Sequence, residues 1–283
     1  MLILNRISQL LPPLRIHCWG GFGSQLNALS FALELKMRIK NRHFVLVFHT
    51  AGLTRRNLEI SELIPDFIRF EIVDDFVSDR LLSKNIRKSR RVTSRVLSSM
   101  QIIVTPSTNS DFSKIKVWTL SSRGHYSHIR FSKKVLTELG KTLELFENCE
   151  DAASLVIHYR LGDLLEIEKG YIQSEQILQI AKNFNKEDSW LVLTDSPIEA
   201  RAKLADNTHG VIFDAFECVD PKKVLRHGFS SDIFIGTTSK LSIWVAIFRI
   251  HGNRGLTYLP RSMREEILKV ISHVNSSNLR FFP

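Results

Sequence analysis

Cysteine is scarce: the 283 residues hold only Cys18, Cys149 and Cys218, far apart and with no C-x-x-C pair. Such spacing excludes a zinc ribbon or a disulfide framework and fits a reducing compartment. Long apolar runs are also missing. None approaches the ~18 residues that a membrane span needs, and Asn5 and Arg6 break the opening MLILNRISQLLPPL where a signal peptide would carry its apolar core. The expectation is a soluble, cytoplasmic chain, compatible with peripheral contact at the inner face of the cytoplasmic membrane. Three chemical signatures are absent as well. There is no G-x-x-x-x-G-K-[ST], no H-E-x-x-H and no G-x-S-x-G, which excludes a P-loop, a zincin and a nucleophile elbow.

What is present is ordinary globular composition with a basic excess. Hydrophobic residues make up 43% and charged residues 24%, so a disordered or fibrous chain is excluded. At ~150 residues per domain the length suggests two domains. Lys and Arg number 39 against 29 Asp and Glu, a net charge of +10. The partner implied is anionic: nucleic acid, a phosphorylated substrate or an acidic membrane face. Basic residues are densest over Lys84–Arg95. Only Trp118 and Tyr126 lie nearby downstream, so no aromatic interleaving supports base stacking and the stretch reads as a solvated face.

The apolar pattern predicts two successive α/β series. In the first, strand Leu14–Cys18, a glycine turn, helix Ser24–Lys40 and strand Phe44–Phe48 open the chain; Phe70–Val73, Ile102–Val104 and Lys116–Leu120 are further strands, and Ser132–Phe146 is a helix. The polar stretch Asn148–Ala153 is the expected boundary, giving domains 1–150 and 151–283. In the second series, strands Ser154–His158, Trp190–Leu193, Gly210–Phe213, Asp232–Ile235 and Leu256–Leu259 alternate with helices Ser174–Asn183, Pro197–Ala205 and Lys240–Phe248.

Four segments place chemistry at strand ends. His17-Cys18-Trp19-Gly20-Gly21-Phe22-Gly23-Ser24-Gln25 puts glycines between a strand and a helix, where backbone can approach a phosphate at the positive helix end. Leu26 stands where a dinucleotide fingerprint needs its third glycine, and a plain structural turn reads equally well. His158-Tyr159-Arg160-Leu161-Gly162-Asp163 delivers a His and an Arg to a strand C-terminus, where open α/β sheets bind ligands. The guanidinium fork suits a pyrophosphate; the plain alternative is an Arg160–Asp163 ion pair. Thr194-Asp195-Ser196-Pro197 places an acid that can accept from a purine or a ribose, or simply cap the next helix. Gly236-Thr237-Thr238-Ser239-Lys240 offers hydroxyls and N–H groups at a helix start, suited to phosphate or to capping alone, with Trp244 expected in the core. No Asp-x-Asp pair occurs to hold a divalent ion on a diphosphate.

In this order the segments resemble the superfamily of GDP-fucose-dependent fucosyltransferases, closest to the bacterial α1,2-fucosyltransferase-like enzymes. That family carries G-G-[LF]-G-N-Q, H-x-R-R-x-D, a strand ending in S-D or T-D, and I-G-x-[ST]-[ST]-F-S-W-W-A. Here the counterparts are Gly20–Gln25, His158–Asp163, Thr194-Asp195 and Ile235–Ala246. The chain departs at Ser24 for Asn, Leu161 for the second Arg, and Lys240 and Ile243 for Phe and the first Trp. The resemblance implies a GT-B architecture, two Rossmann-like domains facing a cleft, with an N-terminal acceptor side and a C-terminal donor side. It implies inverting, metal-independent sugar transfer from a nucleotide donor, GDP-fucose favoured, with no resident cofactor. The acceptor would be a saccharide or lipid-linked oligosaccharide in bacterial surface polysaccharide (O-antigen, lipopolysaccharide or capsule) biosynthesis, with no nucleic-acid partner. Carried over by position, Arg160 would grip the β-phosphate with His158 assisting. Asp195 would read the nucleoside, Thr238 and Ser239 would contact phosphate, and Gly21, Phe22 and Gly23 would close over the diphosphate. Asp163 is the nearest candidate base by sequence, with Glu166 and Glu168 following. Loss of the second Arg keeps open a different sugar donor on the same fold. A non-catalytic basic binder of nucleic acid or acidic glycan is the alternative of another class.

Overall fold

A computed structural model describes residues 11–50, 55–75, 96–106, 109–116, 118–147, 153–166, 171–184, 190–205, 215–218, 220–270 and 277–283. The basic stretch 84–95, most of the expected boundary at 148–153, Glu168 and the expected strand 210–213 lie outside them. The chain forms two compact units, Met1–Val135 and Leu136–Pro283. Each is a parallel β-sheet flanked by helices. No helix among the described residues is long and apolar enough to cross a membrane.

The first unit holds β1 (Leu14–Trp19), α1 (Phe22–Arg38), β2 (Phe44–His49), β3 (Ile68–Val73), β4 (Ile103–Val104) and β5 (Ser121–Arg123). Its strand order is β3-β2-β1-β5-β4, and every pairing is parallel. Side chains alternate along each strand. Leu14, Ile16 and Cys18 join the buried core with Leu26, Leu29, Phe31 and Leu35 of α1. The opposite row of β1 is Arg15, His17 and Trp19, and Arg15 pairs with Glu71 of β3. The strand expected at 116–120 forms instead at Ser121–Arg123. The Thr119 hydroxyl accepts the Lys116 N–H at 2.9 Å and closes a turn there, and the ladder to β1 starts beyond it.

The second unit holds α2 (Lys133–Thr142, beginning in the first), β6 (Leu155–Tyr159), α3 (Gly162–Glu166), α4 (Ser174–Ala181), β7 (Trp190–Thr194), α5 (Pro197–Ala205), β8 (Ala215–Cys218), α6 (Pro221–Ser230), β9 (Ile233–Gly236), α7 (Lys240–His251), β10 (Leu256–Pro260), α8 (Arg264–Val270) and β11 (Leu279–Phe282). Helix α2 stops short of the expected Phe146. Glu144 takes φ 55°, and the Leu145 N–H folds back onto the Gly140 carbonyl at 2.9 Å, which is how a helix terminates in a left-handed residue.

The sheet order is β11-β10-β9-β6-β7-β8, all parallel. Counted from β6, that is the doubly wound order 3-2-1-4-5-6. Leu155, Ile157 and Tyr159 pack with Ile177, Leu178, Ala200 and Leu204 of α4 and α5. His158, on the alternate row, meets Ser242 of α7. Both faces of β6 are therefore covered, which explains a strand without polar alternation. A fully buried Arg249 ties this layer together. Its guanidinium donates to the carbonyls of Gly228 and Ser231 at 2.7 Å and of Asp232 and Leu256 at 3.0 Å, and to Thr257 Oγ1 at 2.9 Å.

Candidate functional site

In a doubly wound sheet the chain leaves the first and fourth strands in opposite directions, which opens a crevice at their C-terminal ends. Here those strands are β6 and β9, hydrogen-bonded neighbours with His158 in register with Gly236. The segments 158–162 and 236–240 therefore meet at one point. β7, on the other side of β6, brings Asp195 beside them.

Thr237 joins the two strand ends. It has no solvent exposure; its hydroxyl donates to the His158 carbonyl at 2.8 Å and accepts the Arg160 N–H at 2.9 Å. Gly236 lets α7 sit close, because a Cβ there would lie 2.7 Å from Ser242 Cβ and from Leu259 Cδ2. Ser239 caps α7, its Oγ accepting the Leu241 N–H at 3.1 Å. Thr238 is half-buried in the turn between them. His158 is buried, with Nδ1 2.8 Å from Ser242 Oγ. Burial, reinforced by Arg160, lowers its pKa to about 3, so the ring is neutral at physiological pH.

Asp195 binds the neighbouring strand-end turn. Its Oδ1 reaches across to accept the N–H groups of Leu161 and Gly162, at 2.8 and 3.0 Å. It thereby holds the turn that carries Arg160. Gly162 leaves room for that carboxylate, since a Cβ there would lie 2.4 Å from Asp195 Oδ2. Asp163 lies on α3 directly after this turn.

The electrostatics point to an anion. Half-buried Arg160 and Lys240 are close enough to influence each other, and Lys240 is the first residue of α7. Burial lowers the Lys240 pKa; Glu266 of α8 pulls the other way, and Arg160 adds a smaller lowering. A cation in the first turn of a helix opposes the dipole, and α7 has no acidic residue there. Two cations and a positive helix end thus converge at the sheet crevice, with Glu266 as the opposing charge, an arrangement suited to an anion. Lys240 stood in the sequence only as a departure from a motif. Its signal was spacing: it begins the helix after the Thr237–Ser239 turn and so reaches the same crevice as Arg160.

Gly21, Phe22 and Gly23 lie in the other unit. Gly21 precedes α1, and Phe22 and Gly23 are buried in its first turn. The Phe22 N–H donates to Glu59 Oε2 at 2.8 Å. Gln25 locks the turn, donating to the carbonyls of Gly20 and Asn57 at 3.1 and 2.9 Å and accepting the Glu59 N–H at 2.9 Å. The first N–H of this helix therefore already holds a carboxylate.

Among the described residues no group of three or more His, Cys, Asp or Glu side chains is placed to hold a metal ion.

No protein-family model matches the chain, and no curated protein matches it. Among solved structures it is similar to the E. coli heptosyltransferase WaaC with ADP, at 10% identity over 95% of this chain and 92% of that one, with a TM-score of 0.49. A glycosyl transferase family 9 structure from Veillonella parvula shares 11% identity over 88% of this chain and 81% of its own, TM-score 0.43. POFUT1 in complex with GDP shares 11% over 89% of this chain and 99% of its own, TM-score 0.37. Identities near 10% at TM-scores below 0.5 leave activity to be judged on the site's own residues.

Proposed function

We propose that this protein is a metal-independent, inverting glycosyltransferase that moves a sugar from a nucleotide donor, GDP-fucose favoured, to a saccharide or lipid-linked oligosaccharide acceptor of bacterial surface polysaccharide. The observation that carries the reading is the convergence of Arg160, Lys240 and the α7 N-terminus at the β6/β9 crevice. Transfer breaks the bond between the anomeric carbon and the β-phosphate oxygen, so negative charge grows on the leaving diphosphate. Donors fixed in advance around that charge lower the barrier without reorganising. Arg160 provides a bidentate fork and Lys240 a point charge in place of the second arginine that Leu161 lacks. His158 supports the turn from beneath, Thr238 and Ser239 line it, and Asp195 leaves one carboxylate oxygen for the nucleoside while Oδ1 holds the turn. Domains 1–150 and 151–283 are assigned as acceptor and donor sides.

Thermal-shift titration with GDP, UDP, CMP and ADP tests the reading. Stabilisation by GDP alone, lost in Arg160→Ala, is the expected result. A response confined to another nucleotide redirects the donor, which the Leu161 departure would then explain. Nucleotide affinity or kcat/KM unaffected by Arg160→Ala overturns the site; the expected loss is about 2–4 kcal/mol in the transition state.

A further inference from the structure

The C-terminal ends of β1 and β5, both within the first unit, carry an exposed cation beside a stack of rings. Arg123 is the last residue of β5 and is in register with His17 of β1. Burial, then Arg123 as the largest charge effect, lowers the His17 pKa to about 4. The guanidinium therefore lies beside a neutral imidazole. Trp19 follows two residues along β1 on the same face. Its ring centroid is 6.1 Å from that of His17, and it stacks on His49 of β2 at 4.4 Å. Trp19 is half-buried, so part of the indole meets solvent.

The acids at this edge are already engaged, and Arg123 is not. Glu71 of β3 accepts from Arg15 Nη1 at 3.1 Å. Asp74 accepts the Thr50 hydroxyl at 2.8 Å and Arg55 Nη2 at 2.6 Å, and Asp75 Oδ2 lies 2.6 Å from His49 Nδ1. Among the described residues Arg123 has no hydrogen bond or ion pair, and the Trp19 indole N–H has no acceptor. The chain is pinned on both sides of Arg123. Tyr126 takes φ 55°, a left-handed conformation that is costly for a bulky residue. Its hydroxyl lies 2.9 Å from the Ser122 carbonyl and 3.0 Å from the His17 carbonyl, and its ring stacks on Phe31 at 4.5 Å.

We propose that Arg123 and Trp19 form a binding site for a saccharide that carries an anionic group, a carboxylate or a phosphate. The proposal rests on the assignment of the first unit to the acceptor side and names the acceptor's chemical class. The guanidinium fork matches the oxygens of an acid. The indole offers an apolar face to a sugar ring and an N–H to one of its hydroxyls. A neutral sugar would use the indole and leave the guanidinium without a counter-charge.

Trp19 also reports on its own site. The full chain is titrated with galacturonate, galactose-6-phosphate and galactose while tryptophan emission is followed. At least one of the two acids should bind ~10-fold or more tightly than galactose, and the tighter one names the acid. The signal should vanish in Trp19→Phe. Arg123→Gln should bring both acids down to the level of galactose at an unchanged Tm, since the side chain is exposed. Arg69→Gln, which removes an equally exposed cation near the start of β3, should bind as wild type, a result that diffuse surface charge would not give. Equal affinity for the acids and galactose overturns the proposal, as does acid binding that survives Arg123→Gln. Loss of GDP binding in Arg123→Gln puts the nucleotide on the first unit and overturns it too. A protein that GDP stabilises but no acidic sugar binds loses this site and keeps the transferase reading. Acid binding through Arg123 in a protein that no nucleotide stabilises keeps the site and loses that reading.

Discussion

Replacing Thr237 with valine removes one hydroxyl from the joint between β6 and β9 and changes little else in shape. The hydroxyl makes two bonds in a place without solvent, 2.8 Å to the His158 carbonyl and 2.9 Å from the Arg160 N–H. A buried group left without a partner costs about 1–3 kcal/mol. The His158 carbonyl bears that in full, whereas the partly buried Arg160 N–H can recover some of it from water, so the expected loss is about 2–4 kcal/mol. In urea this is a midpoint shift of about 1–2 M at a slope of ~2 kcal/mol/M. Trp190 and Trp244, each 1% exposed and both in this unit, supply the fluorescence signal. Thr237→Ser keeps the hydroxyl and should stay near wild type. Nucleotide affinity should fall with Thr237→Val, because the turn bearing Arg160 loses its tether. An unchanged midpoint would refute the joint; a lowered midpoint with intact nucleotide affinity would refute its role in placing Arg160.

Two further outcomes follow from the same layer. Arg249→Leu strands the carbonyls of Gly228, Ser231, Asp232 and Leu256; a loss of at least ~3 kcal/mol is expected in urea unfolding, the largest of any substitution considered. His158, with a folded pKa of about 3 against an ordinary 6.5, refuses a proton that the unfolded chain accepts. Stability should therefore be level above pH 6.5 and fall as pH drops toward 3, by at most about 1.4 kcal/mol per pH unit from this group. His158→Asn, whose amide can still hydrogen-bond Ser242 but does not titrate, should show a shallower decline between pH 6 and 4.

The regular parts of both sheets were legible because their strands are buried on one or both faces and read as apolar runs: Phe44–His49, Leu155–Tyr159 and Trp190–Thr194 fall within a residue of expectation. Helix α5 begins at Pro197 as its proline predicts. Elements stabilised by partners rather than by their own pattern were not legible. β5 is Ser-Ser-Arg, a strand only because β1 and β4 supply both ladders. Helix α3 is five residues long and starts where Asp195, 33 residues later, accepts its first N–H groups. The same limit applied to the site. Arg160, His158 and the Thr237–Ser239 turn stood out as strand-end residues. Lys240 did not, since it acquires meaning only from its neighbour Arg160 in space.

The two glycine- and hydroxyl-bearing turns looked equivalent in sequence, each a strand end feeding a helix that could take a phosphate. Their surroundings separate them. At α1 the first N–H is held by Glu59, itself locked by Gln25, so an incoming phosphate would have to displace a carboxylate that is already tied to the loop. At α7 the cap is a neutral serine, and the first helical residue is a lysine set against the dipole and against Arg160. One helix start has its anion built in; the other brings a lysine beside Arg160, with Glu266 of α8 as the opposing charge. That asymmetry supports the proposal that the donor diphosphate binds the second unit.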